Sequence, residues 1–183
     1  MGRDHLVLGE TTDFITGKTV TDTHDERARQ SIARLLVEEK GYEKTDIDTG
    51  VVLPVTVDGD TGRVRVDFVV RENSRAVMVV NFGPGDIVSR QRPTLAVARL
   101  LEKYVIPYAV ITNSRDAYTM NVTTGKVTGK GLAEIPARQE IVSAMDGLRF
   151  DTLPEERADK EWRILFFMEV LAERECDDFT CKR

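Results

Sequence analysis

Apolar and polar residues change their period several times along this chain, and each change marks an element. Between Glu26 and Lys40 apolar residues fall at Ile32, Leu35 and Leu36, with Glu39 and Lys40 at the rim. That spacing predicts a helix with one buried face. Thr23 or Asp25 offers its N-cap, His24 is a helix-start residue, and Gly41 is placed to end it. From Gly50 the period becomes two. The run VVLPVTV predicts an edge strand, because Pro54 has no N–H to give a central ladder, and DGDTG reads as a hairpin turn. In RVRVDFVV strict alternation puts Arg63, Arg65, Asp67 and Val69 on one face and Val64, Val66, Phe68 and Val70 on the other. Asp67 is then expected to face away from the apolar stripe, beside two arginines.

After the turn ENSR, AVMVVNF is almost wholly apolar, as in a central strand covered on both faces. GPGD breaks it. A helix entered near Pro93 follows, with Leu95, Ala98, Leu100 and Leu101 as its buried stripe and Arg99, Glu102 and Lys103 on the other side. PYAVITN is a further buried strand; DAYTMNV, TTGK and VTGKG read as strand, turn and a last extended piece. PARQEIVSAMDG is a short amphipathic segment. LPEERADKEWRILFFMEVLAERE, opened by Pro154 and acidic first-turn residues, is a longer helix. Its stripe is Ile164, Phe167, Met168 and Leu171, widened by Trp162 and Phe166. Strands alternating with helices imply an α/β sandwich with a mixed sheet. Residues 1–24, with turn signals but no lasting period, form an N-terminal arm, and 25–150 form the domain. After a linker from Asp151 to Glu156, residues 151–183 form a C-terminal helix and tail packed on the domain or against another copy.

Composition narrows the function classes. The 183 residues suit one domain with a full core, and 41% hydrophobic with 31% charged residues is ordinary for a soluble globular protein. No apolar run approaches the ~20 residues that span a bilayer. MGRDHLVLGE has charges where a signal peptide needs an apolar core, so the expected location is the cytoplasm. A net charge of -5 means that contact with nucleic acid requires a local basic patch. Arg90 and Arg92 flank Gln91, while Arg63, Arg65, Arg71 and Arg75 come from the adjacent hairpin; converged, they form such a patch, and dispersed, a solvated face. Gly83 to Gly85 offers either a backbone anion nest or a plain turn. Cys176 and Cys181 are too few for a disulfide framework and two ligands short of a zinc site, which favours free thiols. No Walker loop, dinucleotide fingerprint or nucleophile elbow is present.

The order helix, strand, hairpin, Asp-bearing strand, second strand, helix, strand resembles the restriction-endonuclease-like, PD-(D/E)XK fold. That fold is an αβββαβ core with a mixed central sheet flanked by helices, here followed by a C-terminal helix. More narrowly, HDERARQSIARLLVEEKGY, VRVDFVV, VVNFGPG, RQRPTLAVARLLEKYVIPYAVITNSRDAYTMNVTTGKV and GLAEIPAR resemble the N-terminal domain of type I restriction enzyme R proteins. The resemblance implies that Asp67 matches the strand carboxylate, Glu26 the helix acid and Gln91 the glutamine opening the helix after the catalytic strand. In that fold carboxylates bind Mg²⁺ while a lysine orients the attacking water. The Glu-x-Lys pair falls on Val80-Asn81-Phe82, neither an acid nor a lysine. Three expectations follow. The first is a catalytically degenerate domain needing no cofactor and acting in DNA binding or assembly, with Arg63, Arg65, Arg90 and Arg92 on the nucleic acid. The second is a Mg²⁺-dependent DNA endonuclease that keeps Asp67, with Glu26, Glu102, Asp86 or Glu72 as relocated acids and Lys103 as the lysine. The third is a homodimeric structural protein without nucleic acid.

Overall fold

The computed structural model describes residues 6–171. Its first element is an antiparallel hairpin of β1 (Gly9–Thr12) and β2 (Thr19–Asp22), so the N-terminal arm carries regular structure that its weak period did not announce. Helix α1 (His24–Arg34) is capped by Thr23, whose hydroxyl accepts the Glu26 N–H at 3.0 Å. It widens into a π-helical turn over Leu35–Glu39. Gly41, at φ 76°, then releases the chain in the left-handed conformation glycine supplies best.

Six strands build the main sheet: β3 (Ile47–Val57), β4 (Asp60–Glu72), β5 (Arg75–Phe82), β6 (Tyr108–Thr112), β7 (Ala117–Asn121) and β8 (Lys126–Lys130). They lie side by side in chain order, so β3 with its Pro54 is an edge strand, as expected. Neighbours pair antiparallel except β5 with β6. That parallel pair needs a crossover, supplied by α2 (Gln91–Leu100). The β3–β4 turn places Asp58 at φ 52° and Gly59 at φ 91°, the positive pair that a two-residue hairpin favours. Two further helices follow, α3 (Arg138–Ala144) and α4 (Glu155–Leu165), the latter continuing as π-helix over Phe166–Leu171.

Apolar layers cover both faces of the sheet. One joins Leu53, Val55, Val64, Val66, Val69 and Val79 to Leu95–Ala98 of α2 and to Leu165, Phe166 and Val170. The other joins Phe68, Val70, Val77, Met78 and Val80 to Ile32, Ala33 and Leu36 of the first helix and to Ile135 and Ile141. This division corrects the strict alternation expected of β4. Val66 and Val69 share one layer, three residues apart, so the alternation breaks at Asp67–Phe68. The cause lies in the neighbouring strands. Ladder pairing with β3 skips Gly50 and Asp67, where Gly50 adopts φ 62°, and pairing with β5 begins only at Phe68↔Val80.

The last helix also departs from its expected stripe. Leu165, Phe166 and Val170 are buried, whereas Phe167 is 73% exposed and Met168 40%. The wider π-helical turn advances the buried face by one residue, and Glu161 rather than an apolar residue opens that face. Three such side chains contribute roughly 5–9 kcal/mol of gross burial at ~1.5–3 kcal/mol each, against which stands the entropy of ordering the segment. Val170 lies so close to β4 that a Cβ at Gly62 would come within 2.3 Å of its Cγ1. Because this helix covers α2, the residues Pro93–Arg99 are all buried, and Arg99 is not on an outer face. The helix begins at Glu155, inside the linker expected from Asp151 to Glu156, and residues 151–154 before it are tied down by the Val105 N–H donating to the Asp151 carbonyl at 2.9 Å. Cys176 and Cys181 lie outside the described residues.

Candidate functional site

Where β4 and β5 lose their ladder, side chains take over the backbone's hydrogen bonds. The Asp67 N–H donates to Asn81 Oδ1 at 3.2 Å, and the Phe82 N–H donates to Asp67 Oδ2 at 2.8 Å. The other carboxylate oxygen, Oδ1, accepts from Arg29 Nε at 2.7 Å. Asp67 is 7% exposed, and Arg65 reaches only to 4.0 Å of it. Its principal cation therefore comes from α1 and not from its own strand. Arg29 also stacks on Phe82, 5.4 Å from the ring centroid, and lies 3.5 Å from Glu26 Oε2.

Sequence reasoning missed this arginine, although its place three residues after Glu26 on one helix face was a usable signal. It also missed the polar chain behind it. Glu26 Oε1 accepts from Gln30 Nε2 at 2.7 Å, Gln30 Nε2 also donates to Asp13 Oδ2 at 2.9 Å, and Gln30 Oε1 accepts the Phe14 N–H at 2.6 Å. Asp13 in turn accepts from the Thr16 N–H and hydroxyl at 2.6 and 2.8 Å. Hairpin, first helix and β4 are thus joined by one network.

Burial works to raise the Asp13 pKa, but the hydrogen bonds from Thr16, Gln30 and Ile15 outweigh it and hold the carboxyl below its ordinary value. A depressed folded pKa contributes stability above the unfolded value of ~3.9 and loses it as pH falls through the folded value. The stability difference between wild type and Asp13→Ala is therefore expected to be flat from neutrality to about pH 5 and to shrink below about pH 4. Urea unfolding across that range measures it; a difference unchanged at pH ~3 would remove Asp13 from this role.

The remaining candidates are dispersed. Val80, at the position implied for the acid, is fully buried, and Phe82 is half-buried under Arg29. Glu102 accepts from Arg71 Nη2 at 3.1 Å, and Arg71 also pairs with Asp48 at 2.7 Å. Arg71 is four residues along β4 from Asp67, or about 13 Å at ~3.3 Å per residue. Lys103 is exposed just beyond α2. Glu72 pairs with Arg138 at 3.1 Å, and Asp86 is exposed, accepting the Val88 N–H at 3.1 Å. Gln91 opens α2 half-buried and lines neither of the two recesses beside Asp67. Of the candidate acids Glu26, Glu72, Asp86 and Glu102, Glu26 alone shares a recess with Asp67, a cleft of about 500 Å³ between the β1–β2 hairpin, α1 and the β3–β4 ribbon. Among the described residues, no group of three or more His, Cys, Asp or Glu side chains is placed to hold a metal ion.

The expected basic patch is also smaller than its six arginines. Arg65 and Arg90 line a recess of about 60 Å³ beside Asp67, and Arg63 is exposed two residues from Arg65. Arg90 lies across Gly83, where a Cβ would come within 2.3 Å of its Cδ. Arg92 is turned away to Glu161 at 2.6 Å. Arg71 is spent on Asp48 and Glu102, and Arg75 stacks on Phe150 at 4.6 Å. The Gly83–Gly85 loop is a turn: the Gly83 N–H donates to Thr112 O at 2.9 Å, and Pro84 has none to give.

The described residues thus define an α/β domain with a six-stranded mixed sheet and one buried, ion-paired aspartate at the point where two of its strands separate. Residues 24–136 match the family described as Type I restriction enzyme R protein N terminus (HSDR_N), and the chain belongs to that family. No curated protein and no solved structure matches the chain. Among the described residues, no helix is long and apolar enough to cross a membrane.

Proposed function

We propose that this chain is a restriction-endonuclease-like domain that has lost hydrolysis and keeps contact with a polynucleotide backbone. The observation that carries the first half is the coordination of Asp67. One oxygen is bonded to Arg29 and the other to the Phe82 N–H, while the position implied for a second strand acid holds fully buried Val80. Mg²⁺ needs near-octahedral oxygen ligation at ~2.0–2.1 Å. The residues around Asp67 do not fit that ion, because the local positive charge is already the guanidinium. The element order from the first helix to β6, helix, three strands, helix, strand, supports the αβββαβ core. Contact with phosphates falls to exposed Arg63 and Arg65 and half-buried Arg90, with Arg92 withdrawn from the set.

Purified protein is expected to leave plasmid and single-stranded DNA uncut in Mg²⁺ or Mn²⁺. Metal-dependent cutting abolished by Asp67→Ala would overturn the loss of chemistry. The shared recess of Glu26 and Asp67 favours an active enzyme as the second reading, and it requires Arg29 to leave the space between them. Binding of polynucleotide should weaken as salt rises, and no binding at low salt would overturn the other half.

A further inference from the structure

The cleft between the hairpin and the β3–β4 ribbon is a recess of about 500 Å³. Three carboxylates border it, and each is already engaged: Asp13 by Thr16 and Gln30, Glu26 by Gln30 and Arg29, Asp67 by Arg29 and the Phe82 N–H. The cations presented to solvent are Lys18, exposed beside the hairpin turn, and Arg65, whose side chain is 61% exposed. Gly50 lies against the second of them. It adopts φ 62°, and a Cβ there would lie 3.4 Å from Arg65 Nη2. Thr19, Thr21 and Thr49 add their hydroxyls to the wall.

The base edges in the major groove of a duplex, about 12 Å wide, are reached by a helix or ribbon that protrudes into it. This surface does the opposite and recedes. Its volume lies within the ~300–1,000 Å³ of small-ligand pockets, room for about one or two nucleotides. We infer that the cleft takes one strand of a polynucleotide, with Lys18 and Arg65 on its phosphates and the threonine hydroxyls along its sugar–phosphate edge. The inference rests on the proposed function and adds strandedness to it. Hairpin residues 9–22, which border the cleft, lie outside the matched segment 24–136. Phe68 borders the recess but is buried, so no exposed ring there stacks on a base; contact falls on phosphate and sugar, which carry no sequence information.

Fluorescence anisotropy at low salt, with a labelled thymidine oligonucleotide and a blunt duplex of equal length, tests this on the full chain. The single strand is expected to bind about five- to tenfold more tightly than the duplex. Arg65→Ala and Lys18→Ala should each weaken it and each lower the slope of log affinity against log salt by about 0.7. Both positions are exposed, and unchanged thermal unfolding confirms that the variants fold. A duplex bound more tightly, and through Arg65, overturns the single-strand inference while leaving polynucleotide contact intact. Single-strand binding indifferent to both substitutions overturns the assignment of the cleft. Absence of binding to either form overturns the cleft and the proposed function together.

Discussion

Glu161→Ala is expected to lower stability by about 3–5 kcal/mol, the cost of breaking a buried ion pair from one side. Glu161 is 3% exposed and accepts from Arg99 Nη1 at 2.8 Å and Arg92 Nη1 at 2.6 Å. Burial pushes the Arg99 guanidinium below its ordinary pKa, Glu161 opposes that, and Arg157 and Arg92 add to it. The group stays charged regardless, so removing the carboxylate leaves a buried cation whose hydrogen-bond partner among the described residues is the Val122 carbonyl, at 2.9 Å from Nη2. At ~2–4 °C per kcal/mol for a chain of this size, the melting temperature should fall by roughly 6–20 °C. The double variant Glu161→Leu with Arg99→Met should recover much of the loss, since apolar replacement of a buried pair is often neutral. Denaturant unfolding of the three proteins decides it; a single variant within about 1 kcal/mol of wild type would show that the pair carries no such weight.

Asp67→Ala is expected to be the next most costly change, at about 2–4 kcal/mol, because it strips Arg29 of its 2.7 Å partner and orphans the Phe82 N–H. The figure sits below that for Glu161 because Arg29 is partly exposed and keeps Glu26 at 3.5 Å. The sign matters as much as the size. An acid kept for chemistry is commonly neutral or stabilising to remove, since active sites trade stability for activity. An acid kept for architecture is not. Asp67→Asn, which still accepts from Phe82 but loses the charge, should fall between alanine and wild type. An alanine variant as stable as wild type would return Asp67 to the class of functional acids and weaken the case for lost hydrolysis.

The elements of the fold were legible wherever local pattern decided them. Proline at 54 marked an edge strand, Asp58-Gly59 a tight hairpin, and Gly41 a helix end. Misreadings came where a distant segment settled the outcome. Arg99 reads as a surface residue until a helix 62 residues later covers it with a carboxylate. Phe167 and Met168 read as core until the π-helical turn shifts the register by one. At the candidate site, the vacancy at Val80 and Phe82 was visible in the sequence, because the expected residue types are simply different. What fills it was not. Arg29 comes from 38 residues away, and no period along β4 announces a partner on another element.

The Glu161 contacts also set a schedule for folding. At ~5–20 residues per second, Arg99 leaves the ribosome roughly 3–12 s before Glu161, 62 positions later. The link between Asp58 and Arg163 spans 105 residues, so the β3–β4 ribbon waits longer still for the helix that covers it. During that interval the sheet face over α2 lacks Leu165, Phe166 and Val170, and its apolar surface is open to other chains. Aggregation during synthesis is the hazard this topology carries until α4 and its π-helical continuation are made.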